Sequence, residues 1–212
     1  MTRQKCSALL AAAVVVCSLT SYLMVRAFAR SHEPSRMEHI YGTAPRDDAA
    51  AAAAFQSMVT VLHHPRCMNC HSGGDFPRQG DDSHPHKMNV RRGAFGQGVA
   101  GMRCGTCHQD HNLTGRHMPP GAPDWHLPSS GMPMIWEGLS DAQLCELLKD
   151  PRQNGHRNID EIVEHMNTPL VLWGWNPGEG RTPIPVPTAE FLAKVKEWAS
   201  KGAACPDGGA AR

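Results

Sequence analysis

Apolar residues recur at helical spacing in four places along this chain, and between them run two long stretches with no period at all. The first stripe follows Asp47 and Asp48, where an alanine-rich run puts Phe55, Met58, Val59 and Leu62 on one face and stops near Pro65. Ser140 with Gln143 forms a capping box before AQLCELLK, and Asn158 with Glu161 forms another before IVEHM. Thr188 is placed to cap a last helix, with Phe191, Val195 and Trp198 as its stripe and Gly202 as its stop. Residues 72–103 and 113–139 are instead rich in Gly, Pro, His and Asp, and no segment alternates as a strand should. The pattern predicts an all-α, loop-rich single domain over residues 47–206, with flexible segments at 30–46 and 207–212.

One further apolar run opens the chain. MTRQKCSALLAAAVVVCSLTSYLMVRAFA has a basic start at Arg3 and Lys5, a hydrophobic stretch from about Ala8 to Val25, and the small-x-small triplet Ala27-Phe28-Ala29. It reads as a secretory leader over residues 1–29, cut after Ala29 and delivering the rest to the periplasm. The run is also long enough to serve as an uncleaved inner-membrane anchor. Val16 before Cys17 argues against a lipoprotein anchor there. Removing residues 1–29 takes away three cations and no acid, which lowers the net charge from +1 to −2. No basic excess for nucleic-acid binding remains.

Loops this long count against a compact domain unless something else supplies the core. The chemistry that can do so is written twice. RCMNCH holds Cys67, Cys70 and His71, and RCGTCH holds Cys104, Cys107 and His108. C-x-x-C-H is the attachment signature of c-type haem: two thiols add to the porphyrin vinyls and the next histidine offers an axial nitrogen to the iron. Two C-x-x-C pairs can also hold zinc. Zinc ribbons, however, separate their pairs by roughly 15 to 20 residues, and give no reason for histidine after both pairs. The sequence therefore predicts two haem c groups around which the loops wrap, with a short helical turn at each motif.

The sixth position of each iron decides between carrying electrons and binding a small molecule. Histidines and methionines are plentiful: His84, His86, His111, His117, Met118, His126, Met132, Met134, His165 and Met166 all lie in the mature chain. His86 lies between the motifs, within chain reach of the first haem. Met134, on a proline-rich loop after the second motif, competes for the second haem, with His165 nearly level and Met118 a further candidate. Cys145 and Cys205 are the remaining pair. In an oxidising compartment they are expected to form a disulfide, the alternative being two buried free thiols. Trp173 and Trp175 either lid a porphyrin edge, offer a docking surface, or fill core.

The stretch from about Leu62 to Pro206 resembles a group of small exported dihaem cytochromes c named as the isoquinoline 1-oxidoreductase subunit. The likeness is carried by HPRCMNCH, GDDSHPHKMNVRRG, GMRCGTCHQDHN, GAPDWHLP, MIWEG, EHMNTPLVLWGWNPG and the terminal GAACP. It implies an electron-transfer partner for a molybdenum hydroxylase. It keeps His86, Met134 and His165 as ligand positions and puts Met118 in a variable patch. Residues and resemblance together lead to a carrier, not an enzyme, relaying electrons from an upstream dehydrogenase to a downstream cytochrome or oxidase. The competing expectation is a dihaem peroxidase with one open iron, for which this chain is short.

Overall fold

The computed structural model describes residues 45–207. The expected leader, and with it most of the segment 30–46 and the tail beyond 207, lies outside the described residues. Asp47 starts the first helix, its carboxylate accepting the Ala50 amide, and α1 runs Asp48–Leu62. A one-turn α2 (Pro65–Met68) follows, with proline at its first position and the His64 ring accepting the Arg66 amide. Both expected capping boxes close, at Ser140/Gln143 for α3 (Asp141–Lys149) and at Asn158/Glu161 for α4 (Ile159–His165). A second single turn, α5 (Pro169–Leu172), runs into a 3₁₀ turn at Trp173–Trp175. The last helix, α6, spans Thr188–Ser200.

Thr188 does not cap it. Pro187 takes the cap position, its carbonyl accepting the Phe191 amide, and Thr188 becomes the first helical residue. Gly202, at φ +102°, ends the helix, and the Ala203 amide returns to the Trp198 carbonyl. Strands, which the pattern does not predict, are present as two minimal hairpins. β1 (Arg78–Gln79) pairs antiparallel with β2 (His84–Pro85), and β3 (Gly98–Val99) with β4 (Met102–Arg103). At two residues each they are too short to leave a period-2 signal. The described residues are mostly α and loop-rich, as expected.

The core belongs to the helices. Phe55, Met58, Val61 and Leu62 of α1 meet Leu144, Cys145 and Leu148 of α3, Ile162 of α4, and Phe191, Val195 and Trp198 of α6. Phe55 and Trp198 touch ring to ring at 5.6 Å. The two ends of this unit are tied together where the Asp47 amide donates to the Lys201 carbonyl. Cys145 and Cys205 are joined by a disulfide, which pins the segment after α6 to α3. A helical core thus stands beside the motifs, and the loops fold against it.

Candidate functional site

The first motif sits at the end of α1, where α2 turns the chain so that Cys67, Cys70 and His71 line a cavity. This cavity encloses about 870 Å³ free of protein atoms, part of it open to solvent. Its other walls include Val61 and Leu62 of the core, Met134, Trp136, His165 and Trp173.

His71 is fixed in one tautomer. Its Nδ1–H donates to the Met134 carbonyl at 3.0 Å, because a carbonyl can only accept. Nε2 is left with its lone pair. Trp136 stacks on the ring at 3.7 Å with planes 4° apart, and the Trp136 amide donates back to the His71 carbonyl. Burial drives the His71 pKa down to about 3 against the opposing pull of the Met134 carbonyl, with His165 and two arginines adding to the lowering. His165, at the end of α4, is likewise pushed down to about 4 by burial, then by Arg157 and His126. Two neutral imidazoles thus line one cavity.

The second motif repeats the arrangement. Cys104–Thr106 forms a 3₁₀ turn, the His108 Nδ1–H donates to the Pro120 carbonyl at 2.7 Å, and Trp125 stacks on the ring at 4.5 Å with planes 3° apart. Burial lowers the His108 pKa. Facing it is His86, ring centre to ring centre 6.1 Å, whose own Nδ1–H donates to the Lys87 carbonyl. An ion bound at about 2 Å by one nitrogen of each of two rings sets their centres roughly 6 Å apart. The His86–His108 spacing fits that requirement, and the carbonyl bonds at Nδ1 are the usual means of aiming a ligating histidine.

Two expected assignments are exchanged. His86 was expected at the first motif by chain reach, and it lies at the second. The reason is the β1–β2 hairpin, anchored to the first motif by the Arg78 amide on the Asn69 carbonyl, which turns the chain away before His86. Met134 and His165 were expected at the second motif, and both lie at the first. Met134 supplies its main-chain carbonyl behind His71, while its side chain lines the same cavity. Met118 is surface-exposed, and His84 and His111 are engaged with Asp82 and Asp110.

The two thiols of the first motif are protonated. Burial raises Cys67 to about 12 and Cys70 to about 11, the neighbouring Cys70 adding to the first and Cys104 to the second. Among the described residues no three His, Cys, Asp or Glu side chains converge to hold a metal ion. No described helix is long and apolar enough to cross a membrane.

Several contributors carried no readable signal in the sequence. Trp125 and Trp136 stand in loops without a period, and their stacking on the two histidines is a tertiary contact. Trp125 also lines the first cavity and meets Trp173 edge-on at 4.9 Å, so one indole separates the two sites. Trp173 donates its Nε1–H to Asn112, whereas Trp175 packs on Phe191 and donates to the Val186 carbonyl. One tryptophan lines the cavity and the other fills core. Arg92, fully buried, ties the inter-motif loop to the carbonyls of Ser72 and Pro128. Comparison with family models, with curated proteins and with solved structures finds no match for this chain.

Proposed function

We propose that this protein is an exported electron carrier with two covalently attached haems, passing electrons from a dehydrogenase to a downstream cytochrome or oxidase. The observation that carries the reading is the duplicated setting of the two motif histidines. Each is neutral, aimed by a backbone carbonyl at Nδ1 and backed by an indole, and each has a second histidine in reach. Nothing in a zinc ribbon requires that set.

Cys67 with Cys70 and Cys104 with Cys107 supply the thiols for attachment. His71 with His165, and His108 with His86, would hold the two irons through ring nitrogens. Two donors that line the first cavity, Arg66 Nε and Trp136 Nε1, are buried without a partner. They suit a ligand that carries acceptor groups on a large apolar frame, which is the make-up of a porphyrin. Bound there, each haem would supply one-electron redox chemistry. Two histidines offered to each iron would leave no position free for a small molecule, which favours the carrier over a peroxidase.

Trp136 and the core residues Val61 and Leu62 give the first site an apolar wall, and Trp125 lines that site while stacking on His108 of the second. The resemblance supports a molybdenum hydroxylase as the upstream dehydrogenase. The leader-like opening supports the periplasm as the place of work. Expression in a host competent for cytochrome c maturation tests all of this: purified protein is expected to be red, with two haems per chain by mass and low-spin spectra. Colourless protein of bare polypeptide mass overturns it.

A further inference from the structure

From His86 to His108 the chain carries Lys87, Arg91, Arg92 and Arg103 and neither Asp nor Glu. Arg92 is buried in its structural role. Lys87 and Arg103 are exposed and Arg91 is half-buried. Among the described residues none of these three forms an ion pair. The acids that flank the segment are already engaged, Asp82 by His84 and Asp110 by His111, each at 2.6 Å. A run of four cations with no acid thus lies in a chain whose mature net charge is negative.

The same segment exposes apolar side chains. Met88 is 73% exposed, Phe95 79% and Val99 39%, three of the five large hydrophobics that the described residues leave in solvent. The fold gathers them around the second motif. β3 and β4 set Val99 opposite Met102 and Gly98 opposite Arg103, and the Cys104 amide donates to the Gln97 carbonyl. The His86–His108 contact brings Lys87 and Met88 to the same motif. Gly105, Thr106 and Cys107 lie exposed among them. The first motif instead faces a cavity with Val61 and Leu62 of the core in its wall.

We propose that this face is the docking surface for an acidic electron-transfer protein, which takes electrons from the second motif. The proposal rests on the haem reading of that motif. An apolar centre with a cationic rim is the usual build of a short-lived interface: the apolar side chains exclude water at contact, and the rim selects and steers the partner. The transfer is one electron from the reduced second site to an oxidised acceptor, with no bond made or broken and no proton moved.

The test uses reduced holoprotein and two small oxidants in stopped flow, anionic ferricyanide and cationic tris-phenanthroline cobalt(III). A charge of −2 spread evenly would draw the cation. The patch instead predicts that ferricyanide oxidation slows about tenfold as ionic strength rises from about 10 to about 200 mM. In the triple variant Lys87→Glu, Arg91→Glu, Arg103→Glu that dependence should vanish or reverse. A control with Lys149→Glu, Lys196→Glu and Lys201→Glu, away from the patch, should keep it. A ferricyanide rate that is flat or rises with salt in the unaltered protein overturns the proposal. So does an equal effect of both variants, or concentration-dependent dimerisation that hides the patch under a second copy. Protein lacking haem absorption would instead overturn the function itself, a result read before any oxidant is added.

Discussion

The imidazoles of His86 and His108 face each other across 6.1 Å, with their planes 65° apart. A metal ion held by one nitrogen of each ring, as proposed, requires a spacing of about that size. His86→Ala should leave one of the two haems five-coordinate. Absorption and paramagnetic resonance spectra are expected to show about half of the iron turned high-spin, with carbon monoxide binding to that half. Spectra that stay fully low-spin would remove His86 from the ligand set.

At the first site two candidates share the cavity and separate by how they act. Met134 works through its main chain, which a change of side chain does not remove, whereas His165 offers a ring nitrogen. Met134→Leu should therefore keep both haems low-spin, and His165→Ala should open the first one. The reverse pattern in the same spectra would make the thioether the ligand.

The Cys145–Cys205 bond closes a loop across a sequence separation of 60. Loop-closure entropy for that length corresponds to about 4 kcal/mol of stability on the chain-entropy account. The double variant Cys145→Ser, Cys205→Ser should lose roughly that amount in denaturant unfolding of the holoprotein. Its haem spectra should not change, because the bridge lies in the helical core.

The helices were legible because their signals are local. Ser140 and Asn158 cap what they were expected to cap, the first helix starts after Asp47, and the stripe of Phe191, Val195 and Trp198 faces inward. Both motifs could be read because the chemistry fixes their spacing. What could not be read was which distal residue serves which motif. Chain distance favoured His86 at the first, and a two-residue hairpin, invisible to any periodicity, sent it to the second. Trp125 and Trp136 escaped notice for a related reason: stacking on a histidine far along the chain leaves no pattern nearby.

Arg66 is buried beside the first motif and its charge is met by Asp81, which Thr182 also holds through its hydroxyl and amide. Partial burial works against ionisation of Asp81, but the Thr182 hydrogen bonds and then Arg66 outweigh it, so its pKa lies below the usual 3.8. A depressed carboxylate contributes stability above its unfolded pKa and loses it as pH falls through the folded value. The holoprotein should thus weaken below about pH 4, within the acid limb set by ordinary carboxylates. Asp81→Asn should cost about 1–2 kcal/mol at neutral pH, the low figure reflecting water access to a carboxylate that is half open. That variant should also flatten the acid limb in a pH series of urea unfolding.

A core built from α1, α3, α4 and α6 alone has a bearing on biogenesis. Its apolar contacts run between helices, whereas the glycine-rich stretches 72–103 and 113–139 add little to it beyond Trp136 and Leu139. On the proposed reading, the thiols of the first motif would receive their haem at the margin of that helical unit. A chain loaded at only one motif would keep its helices and shed those stretches to proteases, so faulty maturation should surface as a clipped stump and not as a stable half-loaded carrier.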